Sequence, residues 1–289
     1  MSGRSASRQR LHRRALGLVG VTIGYATAFF ATLMFVYPLI WVAAASIKPN
    51  IEIYRQPLRL IPSVVMFDAY EAIFLRTPIL TYMANSLLYA AGSTAVALAF
   101  ALLAAYGISR HEFRGKETLM LLILSAQIIP GLVTIVPLYL LMQNLSLIDT
   151  KFGIILLYGA LAIPLAVWIL RGFFDTIPIE LDESAWLDGA TKLQTIVWVL
   201  LPVMLPALAA VSIMLFISGW NEFALASVLL RSTENLPLTV GTWVLLGPDE
   251  RDFRMIAAAT VINVIPILVV FAFLQRYLIS GLIAGSVKG

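Results

Sequence analysis

Read for apolar and polar positions, the chain resolves into six long apolar runs, at about 16–46, 82–109, 118–142, 152–174, 202–230 and 254–276. Glu222 is the only acid or base well inside a run. A hydrocarbon core about 30 Å thick takes roughly 20 apolar residues of helix, so each run predicts a membrane-spanning α-helix. The first resembles a secretory signal in one respect, because Ala43-Ala44-Ala45 looks like a cleavage site. Its apolar stretch is about twice the length of a signal-peptide core, which predicts a retained helix. The expected organisation is a basic tail at 1–15, one six-helix transmembrane domain at 16–276 and a short tail at 277–289.

The segments between the runs differ in character. Residues 47–81 contain Pro49, Pro57, Pro62 and Pro78, and residues 231–254 are polar and charged. Neither predicts a folded domain. The 175–201 segment gathers acids: Asp175, Glu180, Asp182, Glu183 and Asp188. Six spans place both termini on one side, and charge says which. Arg4, Arg8, Arg10, Arg13 and Arg14 precede the first helix and Arg110, Arg114 and Lys116 fill a short loop on the same side, so the positive-inside rule predicts cytoplasmic termini. Aromatics near the other ends, Tyr37, Trp41, Tyr82 and Trp243, predict an interfacial belt.

Composition narrows the chemistry. Of 289 residues 60% are hydrophobic and 12% charged, with mean hydropathy +0.91, far outside the range of soluble domains. The net charge of +4 is concentrated in the N-terminal tail, which suits anionic lipid rather than nucleic acid. There is no cysteine, and the two histidines, His12 and His111, sit among basic residues. That excludes a disulfide framework, a thiolate metal site and a histidine-based triad. No glycine-rich phosphate loop is present.

The 175–201 segment predicts a helix, a bend and a second helix. Pro178 suits a first helical turn and the acids behind it face the positive end of the dipole. The first helix is expected at about 179–188, with Leu181, Ala185 and Trp186 as apolar knobs. Gly189 is placed to end it in the left-handed conformation. A second helix follows at about 190–199, and Pro202 is expected to reset the chain. Acids so dense on a cytoplasmic face are repelled by an anionic leaflet, so a protein partner is favoured over lipid.

Within that segment Glu183-Ser184-Ala185, three residues, Gly189, nine residues and Val199-Leu200-Leu201-Pro202 resemble the EAA loop of ABC importer permeases. Ser184 stands for alanine and Val199 for isoleucine, with every spacing kept. The likeness to the carbohydrate-uptake, maltose-type branch extends over most of the chain. It includes Ser46-Ile47-Lys48-Pro49, Pro130 to Tyr139, Trp220-Asn221-Glu222-Phe223 and the terminal Gly281 to Gly289. Phe67-Asp68-Ala69-Tyr70 departs from it, with alanine where asparagine is usual.

The resemblance implies an all-α, type I importer permease fold with six helices and a cytoplasmic coupling-helix loop. It implies no catalysis and no cofactor in this chain, ATP and Mg being bound by a dimer of ATPase subunits. The other implied partners are a second homologous permease and an extracytoplasmic solute-binding protein. By position, Glu183, Ser184, Ala185, Asp188, Gly189, Leu201 and Pro202 would form the ATPase contact, Glu183 by an ion pair and Ala185 and Gly189 by allowing close approach. Gly285, Val287, Lys288 and Gly289 would form a second contact from the tail.

A charge inside a span is costly enough to need a reason. Glu222, with Trp220 and Asn221, reads either as a substrate-path or gate contact or as a structural hydrogen bond. Gln127, Asn85 and Asn263 read as interhelical glue. Pro130, Pro137 and Pro164 each free a backbone carbonyl and permit a kink. The function expected is import of a sugar or related polar solute, driven by a partner ATPase. The alternative is an ion-coupled secondary transporter using Glu222. An intramembrane enzyme is disfavoured, because no acid pair or nucleophile with a base lies in the spans.

Overall fold

The computed structural model describes residues 3–55, 59–246 and 252–286, with side chains over 21–55, 59–244 and 252–276. Among the described residues every regular element is helical. In chain order these are α1 (Gly3–Ser46), α2 (Asn50–Ile53), α3 (Asp68–Arg76), α4 (Ile79–Arg110), α5 (Lys116–Ser125), α6 (Gly131–Asn144) and α7 (Lys151–Phe174). Then come α8 (Glu180–Leu187), α9 (Lys192–Gln194), a π-helical turn (Thr195–Leu200), α10 (Leu201–Val203), α11 (Leu205–Asn221), α12 (Ala224–Leu229), a 3-10 turn (Thr233–Asn235), α13 (Leu238–Leu246) and α14 (Phe253–Ser286).

The chain divides into two units, one of residues 1–72 and 250–261, the other of 73–249 and 262–289. In the first, Ser46 and Lys48 are buried and turned to the following loop: Ser46 Oγ meets the Tyr70 hydroxyl at 2.8 Å and Lys48 Nζ donates to the Arg59 carbonyl. Asp68 pairs with Arg254 at 2.7 Å and the Tyr54 ring packs edge-on against Phe253. The polar positions that follow the first span thus fasten the loop after it.

The second unit is built on α4, α7 and α11. Ala97, Ala101 and Ala105 are fully buried along α4, and a Cβ on Gly159 would lie 2.8 Å from Val96 Cγ1 and one on Gly219 3.3 Å from Ala90 Cα. In lipid, where apolar burial offers little between helices, small residues permit the close backbone approach on which packing depends.

Among the described residues four helices are long and apolar enough to cross a membrane: Val21–Ser46, Ile79–Arg110, Lys151–Phe174 and Phe253–Arg276. A fifth candidate, 192–203 with 205–221, is bent by 84°. Several sequence expectations change here. The run at 118–142 is two helices with a break at 126–130. Pro130 carries extended backbone at φ −58° and ψ 127°, and a proline drives the residue before it out of helical conformation. The run at 202–230 is also broken, at Glu222 and Phe223, between α11 and α12. Pro202 does not end the preceding helix. The Leu201 N–H bonds back five residues to Ile196, a π register that re-pairs carbonyls ahead of a proline, and the bend comes instead at Met204.

Part of the stretch expected as a polar loop at 231–254 is the apolar helix α13. Tyr82, expected in an interfacial belt, is 4% exposed, and a Cβ on Gly241 of α13 would fall 2.2 Å from its ring. The tail at 1–15, expected as a plain basic extension, is helical from Gly3.

Candidate functional site

Three places in the second unit concentrate polar chemistry. The first is the 175–203 segment. Helix α8 ends in a Schellman motif: Gly189 has φ +86°, Ala190 N–H donates to Ala185 and Gly189 N–H to Trp186, which satisfies carbonyls the helix leaves unpaired. Thr191 then opens α9 with a capping box closed by Gln194. The bend and the second start are therefore both fixed by local hydrogen bonds.

The acids of α8 do not share one face. Glu183, Ser184 and Asp188 are exposed, with Trp186 and Leu187 beside them, and Leu187 is 89% exposed. Asp182 and Ala185 point inward, at 0% and 7%. Ala185 is packed inward where α8 lies on the 195–200 turn. Gly189 is exposed, Leu201 half-buried and Pro202 exposed. Val287, Lys288 and Gly289 lie outside the described residues, and Gly285 sits in the last turn of α14.

Asp182 has a partner that sequence reading missed. Arg110 Nη2 at the end of α4 lies 3.0 Å from its carboxylate, with 7% and 0% of the two side chains exposed. Around them Ser109 Oγ donates to Asp175 at 2.5 Å, Arg171 reaches Glu117 at 3.1 Å and Lys192 Nζ lies 3.1 Å from His111 Nε2. One signal was available: Asp182 and Ala185, three apart on a helix, occupy one face. Nothing local identified Arg110.

The second place is a pair of cavities where the two helix breaks meet. One, of about 310 Å³, is lined by Thr94, Gln127, Tyr158, Ser218 and Glu222 among others. The other, of about 640 Å³, shares Gln127 and Glu222 and adds Thr134 and Pro164. Non-helical backbone at membrane depth is tolerated where it lines a cavity or is buried in protein, and both breaks meet that condition. Glu222 caps α12, accepting from Leu225 N at 2.8 Å and Ala226 N at 3.0 Å, and the Tyr158 hydroxyl donates to the same carboxylate. Thr239 Oγ1 donates to its carbonyl. The Glu222 carboxylate thus makes structural hydrogen bonds and also faces a cavity.

Trp220 departs from the group. It is 1% exposed and donates to Asn263 Oδ1 at 2.6 Å, while Asn221 is exposed and lines neither cavity. The amides act as connectors: Gln127 donates to the Leu161 carbonyl, and Asn85 to those of Glu234 and Leu236. Thr94 Oγ1 is buried without a hydrogen-bond partner.

The third place is the turn before α7. Asp149, in left-handed conformation at φ 57°, accepts hydrogen bonds from the backbone of Arg231 and Ser232, from the Ser232 hydroxyl and from Asn235. Burial alone would raise its carboxyl, but these donors outweigh it and hold the group at about 2. Tyr89 donates to the Asn235 carbonyl and Ser86 accepts from Leu238 N.

A family described as binding-protein-dependent transport system inner membrane component matches residues 97–283. The arabinooligosaccharide transport permease AraQ of Halalkalibacterium halodurans is 33% identical over 93% of this chain and 96% of its own. The galactooligosaccharide permease GanQ of Bacillus subtilis is 32% identical over 94% and 96%, and the trehalose permease SugB of Mycobacterium tuberculosis 33% over 87% and 92%. A crystal structure of a bacterial ABC transporter involved in import of the acidic polysaccharide alginate superposes with TM-score 0.75 at 28% identity, covering 91% of this chain and 98% of that one.

Proposed function

The chain belongs to the family of binding-protein-dependent transport system inner membrane components, and on that footing we propose that α8 and the turn after it are where this subunit couples to its ATPase. The protein is a multi-pass, non-catalytic permease subunit of a sugar importer that works with ATPase and solute-binding partners. The relatives favour no ion-coupled mechanism. The observation that carries the coupling reading is the division of α8. Glu183, Ser184, Asp188 and the apolar Leu187 face outward around the Gly189 bend, while Asp182 and Ala185 hold the helix to the bundle. An exposed acid beside an exposed leucine suits a basic, partly apolar cleft.

In this reading the 175–203 end and both termini are cytoplasmic, α5 with α6 and α10 with α11 and α12 count as the two broken members of six spans, and the ATPase dimer binds the ATP and Mg. A second permease completes the path. Glu222 and Gln127, where the two breaks meet, line this subunit's share of it, as discontinuous helices at membrane depth commonly do.

Two measurements test this. Glu183→Lys should leave the protein in the membrane while the ATPase subunit no longer co-purifies; co-purification at wild-type stoichiometry sinks the docking site. The binding protein that purifies with the complex, screened against trehalose and arabino-, galacto- and chito-oligosaccharides, should retain one of them.

A further inference from the structure

At the 175–203 end one guanidinium joins three helices. Arg110 is the last residue of α4. Its Nη2 meets Asp182 of α8 at 3.0 Å and its Nη1 donates to the carbonyl of Phe174, the last residue of α7, at 3.2 Å. Both ends of the ion pair are buried, which separates it from surface pairs whose net contribution is near zero. Arg171, near the end of α7, lies 3.4 Å from Asp175 and 3.1 Å from Glu117 of α5. None of these groups belongs to the outward face of α8 set out above.

We propose that Arg110 is a positioning residue for coupling: its fork, shared between Asp182 and the Phe174 carbonyl, makes α8 move as one body with α4. The proposal rests on the reading of α8 as the ATPase contact. Without this clamp α8 is joined to the bundle by its chain connections, residues 175–179 on one side and Gly189 with a helix bent by 84° on the other, and by the apolar contacts of Leu181 and Ala185, which fix no single angle. A displacement of α8 would then be taken up by rotation about those connections. With the clamp it moves α4 as a rigid element, the form in which closure is passed between domains. Thr94, on the cavity wall, stands on the same helix, about 24 Å away at 1.5 Å per residue. The chemistry explains the residue type: the rigid planar guanidinium donates through one Nη to the Phe174 carbonyl while the other Nη lies in ion-pair contact with Asp182, and lysine offers a compact point charge on a flexible stem.

The test is uptake per ATP hydrolysed by the purified whole transporter in proteoliposomes, using the sugar its binding protein retains. Arg110→Lys should keep the ATPase subunits at wild-type stoichiometry and lower uptake per ATP by about tenfold. Because Lys could leave Asp182 poorly paired and the chain unfolded, the second variant is Arg110→Met with Asp182→Leu, which removes both charges and keeps the volume. It should assemble and show the same loss. Wild-type uptake per ATP in either assembled variant overturns the proposal. Failure of both to assemble also overturns it, by assigning the pair to folding alone. The docking reading fails separately, through retention of the ATPase by Glu183→Lys.

Discussion

The two ends of the α4–α7 pair are fastened by different chemistry. At the Asp149 end, side chains bond to main chain: Asp149 to the 231–232 amides, Asn85 to the Glu234 and Leu236 carbonyls, Tyr89 to that of Asn235. At the Asp182 end, side chains bond mostly to side chains, and most bonds are ionic: Arg110 with Asp182, Arg171 with Glu117 and Asp175. A bond to a particular carbonyl or amide specifies one path for a loop. An ion pair between helices fixes how two rigid bodies meet and leaves their internal structure alone. The first arrangement suits an end that holds one conformation. The second suits an end that receives force.

The contrast can be broken from the ionic side first. Arg110→Ala would leave the Asp182 carboxylate buried without its counter-charge, and should cost about 3–5 kcal/mol of stability, read as a lower thermal midpoint of the purified complex. A loss below about 1 kcal/mol would mean the pair is solvated like a surface bridge. From the other side, Asp149→Ala removes several charge-assisted hydrogen bonds and should cost about 2 kcal/mol. The discriminating readout is local: amide exchange should accelerate at 230–238 and stay unchanged at 180–190.

Acid sharpens the same comparison. The Asp149 carboxyl is held below its ordinary value of 3.8, at about 2. A group whose folded pKa is depressed contributes stability that is complete above its unfolded value and disappears as pH falls through the folded one. Protection of 230–238 should therefore persist down to its ordinary value and be lost towards about 2. Loss of protection well above 3.8 would show that the carboxylate is not what holds the knot. The smallest effect is expected at Gly189→Ala, where φ +86° imposes about 1 kcal/mol on a residue with a Cβ. Uptake should fall modestly, with the ATPase still bound. A fully active, equally stable variant would mean the Schellman bend is dispensable.

Much of the 175–203 segment was legible because its signals are local. Pro178, the acids behind it and Gly189 specify a helix and its end within a dozen residues, and the structure has both. The bend expected at Pro202 fell at Met204 because a π turn absorbed the missing N–H, an adjustment that depends on the whole helix. Pro130 marked a kink in the third run, but the full break belongs to the tertiary structure, where its residues line a cavity that Glu222 also lines. Glu222 itself was open to two readings. Glutamate is not a usual capping residue, so its bonds to Leu225 and Ala226 could not be read from spacing.

What the sequence settled by itself is whatever follows from hydropathy and short-range geometry: a chain that belongs in lipid, apolar runs of spanning length, and an acidic helix ended at a glycine. What the tertiary structure alone decided is direction and company. Of the adjacent acids on α8, Asp182 faced in and Glu183 out, and the partner of Asp182 lay on another helix. Asn85 and the carbonyl it holds at Leu236 are 151 residues apart. Local pattern fixes which face of a helix a residue occupies, and only packing decides what that face meets.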